Sequence, residues 1–224
     1  MAAQGRLRQI KPQFAGTAQS SARTMDIFAH ALWAGAGVML ARRHGAKVAP
    51  LTTRRLPRIT PRITPRTVAL TMTLAAVPDL FHLLPIIGGW LFSDGSLAVL
   101  HAYAIALPAN QPVLPPMVAL WSHHLHCVAH SAVVAGVVTA LLWALTRSIW
   151  IPLLGWWSHI VIDVFTHSVD FYPSPVLYPF TQRGFDGLAW NTPWFMVANY
   201  VALALAGVGL WLLWGRKGRD LGLT

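Results

Sequence analysis

The chain has 224 residues, 55% of them hydrophobic and only 11% charged, with a mean hydropathy of +0.51. Soluble domains carry about 25% charged residues, so this is the composition of a membrane protein. The net charge of +10 would suit nucleic acid, but basic residues clustered beside apolar segments follow instead from the positive-inside rule and suit an anionic lipid surface.

Of 17 Lys and Arg, eight lie between residues 42 and 66, four between 6 and 23, and three between 216 and 219. The acids are as uneven. There is no Glu, and the seven Asp are at 26, 79, 94, 163, 170, 186 and 220. Asp26, Asp79, Asp163 and Asp170 each lie within four residues of a His. The single cysteine, Cys127, excludes an intramolecular disulfide framework and a Cys-based zinc site.

Residues 1–24 are polar and lack the apolar stretch of a signal peptide. They read as a disordered extension, or as sequence ahead of a true start at Met25. A spanning helix needs about 20 mostly apolar residues. Such stretches fall near residues 26–41, 67–92, 117–146, 149–169 and 194–214. The expected fold is therefore all-α, a polytopic bundle of about five transmembrane helices with a buried His/Asp site. The membrane-embedded domain runs over 25–214, with a basic cytoplasmic tail at 215–224. The prolines of "RITPRITPRT", residues 58–67, read as an extended cytoplasmic loop. A short interfacial helix is expected near 96–107, and a Pro- and aromatic-rich connection over 170–193. Asp94 and Asp186, each beside Gly, read as turn residues.

Ionisable groups within spans are costly and mark function. Span one has Asp26 and His30. Span two has Asp79 and His82. Span three has His123, His126 and His130, with His124 off that stripe. Span four has His159, Asp163 and His167. Each spacing puts its side chains on one helix face. Asp79 lies about 20 Å past Arg66 along a helix, and His159 about 18 Å past Arg147, so the stripes meet at one level. Imidazole with carboxylate suits zinc, manganese or iron. Three readings stay open at this point: a metal centre, a proton or ion path, and a structural polar network. His101 and His124 read as hydrogen-bonding contacts and His44 as solvated.

Four of these segments together resemble the YdjM-like family, predicted inner-membrane metal-dependent hydrolases, over about residues 25–181. "MDIFAHALWAGAG" is similar to the family's first motif and supplies Asp26 and His30. "VPDLFH" resembles its "PD.DH" motif, with Phe81 where the family has a second Asp. "HHLHCVAHS" resembles "HRG.THS" without the Arg-Gly pair and supplies His130 and Ser131. "SHIVIDVFTHSVDFYPSP" resembles "SH...D..T" followed by a proline-rich turn, supplying His159, Asp163 and Thr166. The His-x-x-x-Asp pattern is also similar to zinc-dependent phospholipase C and its nuclease relatives, helical enzymes acting on phosphoesters.

The resemblance implies a metal-dependent hydrolase of the inner membrane of a bacterial or archaeal cell, acting on a lipid or lipid-linked phosphoester. His30, Asp79, His82, His130, His159 and Asp163 are the expected metal ligands, with zinc ahead of manganese and iron. Asp79 or Asp163 is the expected general base, and His126 and His167 are expected as further ligands or proton donors. Membrane lipids are the expected partners. A metal- or proton-handling transporter, or a non-catalytic membrane scaffold, is the rival expectation.

Overall fold

A proline and a serine break two of the apolar runs, and those breaks shape the bundle. The computed structural model describes residues 24–45, 63–92, 97–105, 112–170 and 173–220, which form helices joined by turns and irregular segments, without a strand. The helices are α1 (Thr24–Gly45), α2 (Pro65–Ala76), α3 (Pro78–Phe81), α4 (Leu84–Phe92), α5 (Leu97–Ile105), α6 (Pro116–Ala129), α7 (Ala132–Thr146), α8 (Leu153–Thr166) and α9 (Pro193–Asp220).

The all-α expectation holds, as does the short helix near 96–107, which is α5. The helix α9 continues through the basic residues from 216 as far as Asp220. The expected N-terminal extension, Asp94 and most of the basic loop fall outside the described residues, as do the side chains of Asp26 and His44.

α2 opens on a capping box. Thr64 Oγ1 accepts from the Thr67 amide at 3.1 Å, and Thr67 Oγ1 accepts from the Thr64 amide at 3.2 Å. Pro65 at the first position needs no amide partner. Pro78 then ends α2, since its ring removes a helical donor, and the chain bends by 51° into α3 and α4. The expected span 117–146 is likewise two helices, α6 and α7, bent by 62°. His130 leaves the helix there, and Ser131 caps α7 by accepting from the Val134 amide.

α9 is long and apolar enough to cross a membrane over Pro193–Trp214, with mean hydropathy 1.9 and none of that window buried. Each bent pair, taken as one unit, passes the same test, giving up to three crossings among the described residues. The other two expected spans, α8 and α1, are not among these three. α8 has 14 residues, about 21 Å of helix against a hydrocarbon core of about 30 Å. α1 has 22 residues, about 33 Å of helix, enough in length for such a core.

The packing fixes helix directions. Gly155 of α8 lies against Thr71 of α2, so closely that a Cβ on it would fall 2.0 Å from the Thr71 carbonyl oxygen. One turn on, His159 meets Ala75. α2 and α8 therefore run the same way. α1 runs opposite to them, with Gly35 against Met72 and His30 level with Asp163. α1 and α9 run together: Trp33 Nε1 donates to Asn199 Oδ1 at 2.8 Å, and Arg43 donates to the Leu213 carbonyl. Arg42 stacks on Trp214 at 5.3 Å. Arg42, Arg43 and Arg66 thus gather at one end of the bundle, and Arg147 joins them where α7 leads into α8.

Helix hydroxyls are satisfied locally. Thr71, Thr139 and Thr166 donate to carbonyls four residues back. Trp156 Nε1 donates to the Ala129 carbonyl, the last of α6, and Trp157 Nε1 to Thr139 Oγ1. The segment after α8 folds over the far end. Gly187 and Trp190 amides donate to the His167 and Thr166 carbonyls at 2.8 and 2.7 Å, capping α8. Gly187 has no room for a Cβ, which would lie 2.5 Å from the Phe165 carbonyl. Asp186, expected in a turn, instead accepts with its side chain from the Val169 amide, 17 residues away, and ties the two segments together.

Candidate metal centre

The centre is built where the two helix breaks face α8. Pro78 frees the last carbonyls of α2, and the Ala75 carbonyl accepts from His159 Nδ1 at 2.8 Å. The same break puts Asp79 in the first turn of α3. At the second break His130 bends back on its own helix, with Nδ1 2.8 Å from the His126 carbonyl. Ser131 holds this corner by donating to the Tyr178 carbonyl at 2.5 Å, while the Ala132 amide donates to Val176.

Four side chains converge. One ligand atom from each of Asp79, His130, His159 and Asp163 lies within 4.8 Å of the other three. His159 Nε2 is 3.1 Å from Asp163 Oδ2 and 3.6 Å from Asp79 Oδ1. His130 Nε2 is 3.3 Å and 3.5 Å from the same two oxygens. A tetrahedral ion bonded at about 2.0–2.1 Å has ligand atoms about 3.4 Å apart, so these spacings suit one ion.

Polarity points the same way. A neutral imidazole that donates from Nδ1 to a carbonyl presents a lone pair at Nε2. When neutral, His130 and His159 are both in that arrangement, and each Nε2 then faces carboxylate oxygens that can only accept. His159 Nε2, both oxygens of Asp163 and Asp79 Oδ2 are buried without a hydrogen bond. Buried acceptors facing acceptors are costly, and a divalent cation between them removes the cost. A buried Asp/His group able to hold a metal ion is therefore present, and its donor set of two imidazoles and two carboxylates fits such an ion.

Around this group stand the remaining expected residues. His30 of α1 is 1% exposed, with Nε2 3.0 Å from Asp163 Oδ1 and its ring 4.2 Å from that of His159. It holds the oxygen of Asp163 that faces away from His130 and His159. His167 ends α8 in extended backbone, with Nδ1 3.2 Å from the Asp163 carbonyl and 3.6 Å from Asp163 Oδ1. His126 lies beside His130, ring to ring at 4.1 Å. His82 stands farther out, 6.1 Å from the His126 ring and 5.9 Å from Tyr103, with its carbonyl accepting from Ser122. Neither His30 nor His82 belongs to the convergent four.

Span three does not present one stripe. His123 is exposed beside Gln182, His124 bonds the Tyr178 hydroxyl at 3.0 Å, and His101 is exposed. The stripe fails at its first member, since His130 still stacks on His126 while His123 faces outward. Sequence reasoning passed over the backbone acceptors Ala75 and His126, which orient the two imidazoles. It also passed over Gly155, the one sequence signal of close α2–α8 approach.

No family model, curated protein or solved structure matches the chain.

Proposed function

We propose that the chain is a membrane-embedded, metal-dependent hydrolase acting on a lipid or lipid-linked phosphoester, of the kind the YdjM-like resemblance implies. The observation that carries this is the convergence of acceptor atoms from Asp79, His130, His159 and Asp163, with both imidazoles oriented by backbone carbonyls. A divalent ion held there supplies Lewis acidity and makes water a stronger nucleophile near neutral pH. Zinc suits the His/Asp set best, with manganese or iron next.

The chain's own groups divide the remaining work. Asp163, 0% exposed and flanked by His30, His159 and His167, is a structural ligand that keeps its charge inside the bundle. The Asp79 side chain is 20% exposed, which makes it the more accessible of the two carboxylates of the centre. His167 stands beside the ligands as a proton donor to the leaving group. The apolar outward residues Phe28, Val137, Leu141, Val161, Val201 and Leu205 suit a lipid surround. With α1 and α8 as tilted or short members, five crossings place every described Arg at the cytoplasmic end except Arg183.

The test is hydrolysis by detergent-purified protein of phospholipid in mixed micelles, with Asp163→Asn as the inactive control. Turnover that needs divalent metal and Asp163 supports the reading. A second reading, a proton- or metal-handling transporter, draws on the helix breaks at the site, a feature of transporter folds. Activity seen only in sealed vesicles with an imposed gradient would replace the hydrolase by that reading.

A further inference from the structure

We infer a second, weaker divalent-cation site beside the first, formed by Asp79 Oδ2, His82 and His126, with Asp79 bridging the two ions. It rests on the metal centre proposed above and extends it. Asp79 turns Oδ1 towards His130 and His159. Its other oxygen, Oδ2, is buried with no hydrogen bond, and so is Nδ1 of His82, three residues on. The His126 ring stands between His82 and the first centre, 6.1 Å from one and 4.1 Å from His130.

A carboxylate oxygen only accepts, whereas a cation satisfies it together with two imidazole lone pairs. The geometry also ranks the two sites. His130 and His159, which share the first ion, have ring centres 4.9 Å apart; His82 and His126 are about 1 Å wider. The outer pair must close to bind, so it fills second. His82 is placed to move, since it lies in the turn between α3 and α4 with its carbonyl, not its ring, tied to Ser122. A shared carboxylate suits ions about 3.5–4 Å apart, the spacing that clamps both the attacking and leaving oxygens of a phosphoester. The second ion would thus sit on the buried Oδ2 side of Asp79, next to the first.

The experiment is a Zn²⁺ titration of chelator-stripped, full-length protein in detergent, followed by calorimetry and elemental analysis. Two ions per chain are expected, one tight and one weak. His82→Ala and His126→Ala should each abolish the weak event and keep the tight one, whose retention shows that the fold stands. Removing His101, His123 and His124 together should keep both. Two Mn²⁺ ions should show spin coupling by electron paramagnetic resonance, lost in either variant. One ion per chain at saturation, lost in His159→Ala, would overturn the second site and leave the first intact. A second ion that survives His82→Ala and His126→Ala, or disappears with the surface histidines, would also overturn it. No bound ion at all would remove both sites.

Discussion

His159 and Ala75 are joined by a 2.8 Å hydrogen bond from imidazole Nδ1 to a carbonyl at the end of α2. One residue of the centre is thereby oriented by the backbone of another helix, and the contact depends on how closely α2 and α8 approach. Gly155, one turn earlier, sets that approach against Thr71.

Gly155→Ala should therefore disturb the centre from a full turn away. Its Cβ would meet the Thr71 carbonyl at 2.0 Å, so α8 must move outward. Overpacking of this kind costs roughly 1–3 kcal/mol. The expected result is a lower Tm together with weaker metal binding, read by thermal melts with and without Zn²⁺. A variant that keeps wild-type metal affinity would show that His159 is held by something other than this register.

Metal removal should destabilise the protein. An ion bound only by the folded state stabilises by about 4 kcal/mol when present at 1,000 times its Kd. Chelator-treated protein should melt at lower temperature, and the melting point should return on adding Zn²⁺. In Asp163→Asn the gap between metal-loaded and stripped protein should close, because the carboxylate that faces both ligand imidazoles is gone. An undiminished gap would place the ion elsewhere.

Acid should release the ion. Imidazole and carboxylate bind metal only in their deprotonated forms, so protons compete with it. Affinity should fall as pH drops from 8 to 6, with proton release on binding visible as a buffer-dependent heat in calorimetry. Affinity that is flat across this range would argue against histidine ligands.

Two histidines seven residues apart should behave oppositely. His130→Ala removes a ligand and should weaken binding more than about 100-fold, beyond the 10–100-fold typical of outer-shell losses. His123→Ala should change nothing at the centre, because His123 is exposed beside Gln182. Equal losses would restore the single helical stripe that the exposure of His123 breaks.

That pair also shows what sequence spacing conveys. His159 and Asp163 lie one turn apart on one continuous helix, so their shared face follows from the repeat alone. Asp79 is equally legible, since Pro78 before it announces a helix start. His123, His126 and His130 fit the same repeat on paper, yet the chain leaves the helix at His130. The cause is Ser131, whose hydroxyl caps α7 and reaches Tyr178, 47 residues on. A serine after a histidine does not announce a bend unless its distant partner is known. The helix breaks are hidden from the sequence for a related reason. Hydropathy sums over 67–92 and 117–146 do not register the bends, while α8 is apolar enough but only 14 residues long.

The equal offset between α2 and α8 has a consequence for the order of assembly. Asp79 and its partners His159 and Asp163 are about 80 residues apart in the chain, with α6 and α7 made between them. As the chain emerges from the ribosome, Asp79 must wait through that interval without them. α2 and α3 can meanwhile lean on α1, whose Gly35 accommodates Met72. The centre closes only when α8 slides in alongside α2, so the last helices to arrive decide whether a metal can be held at all.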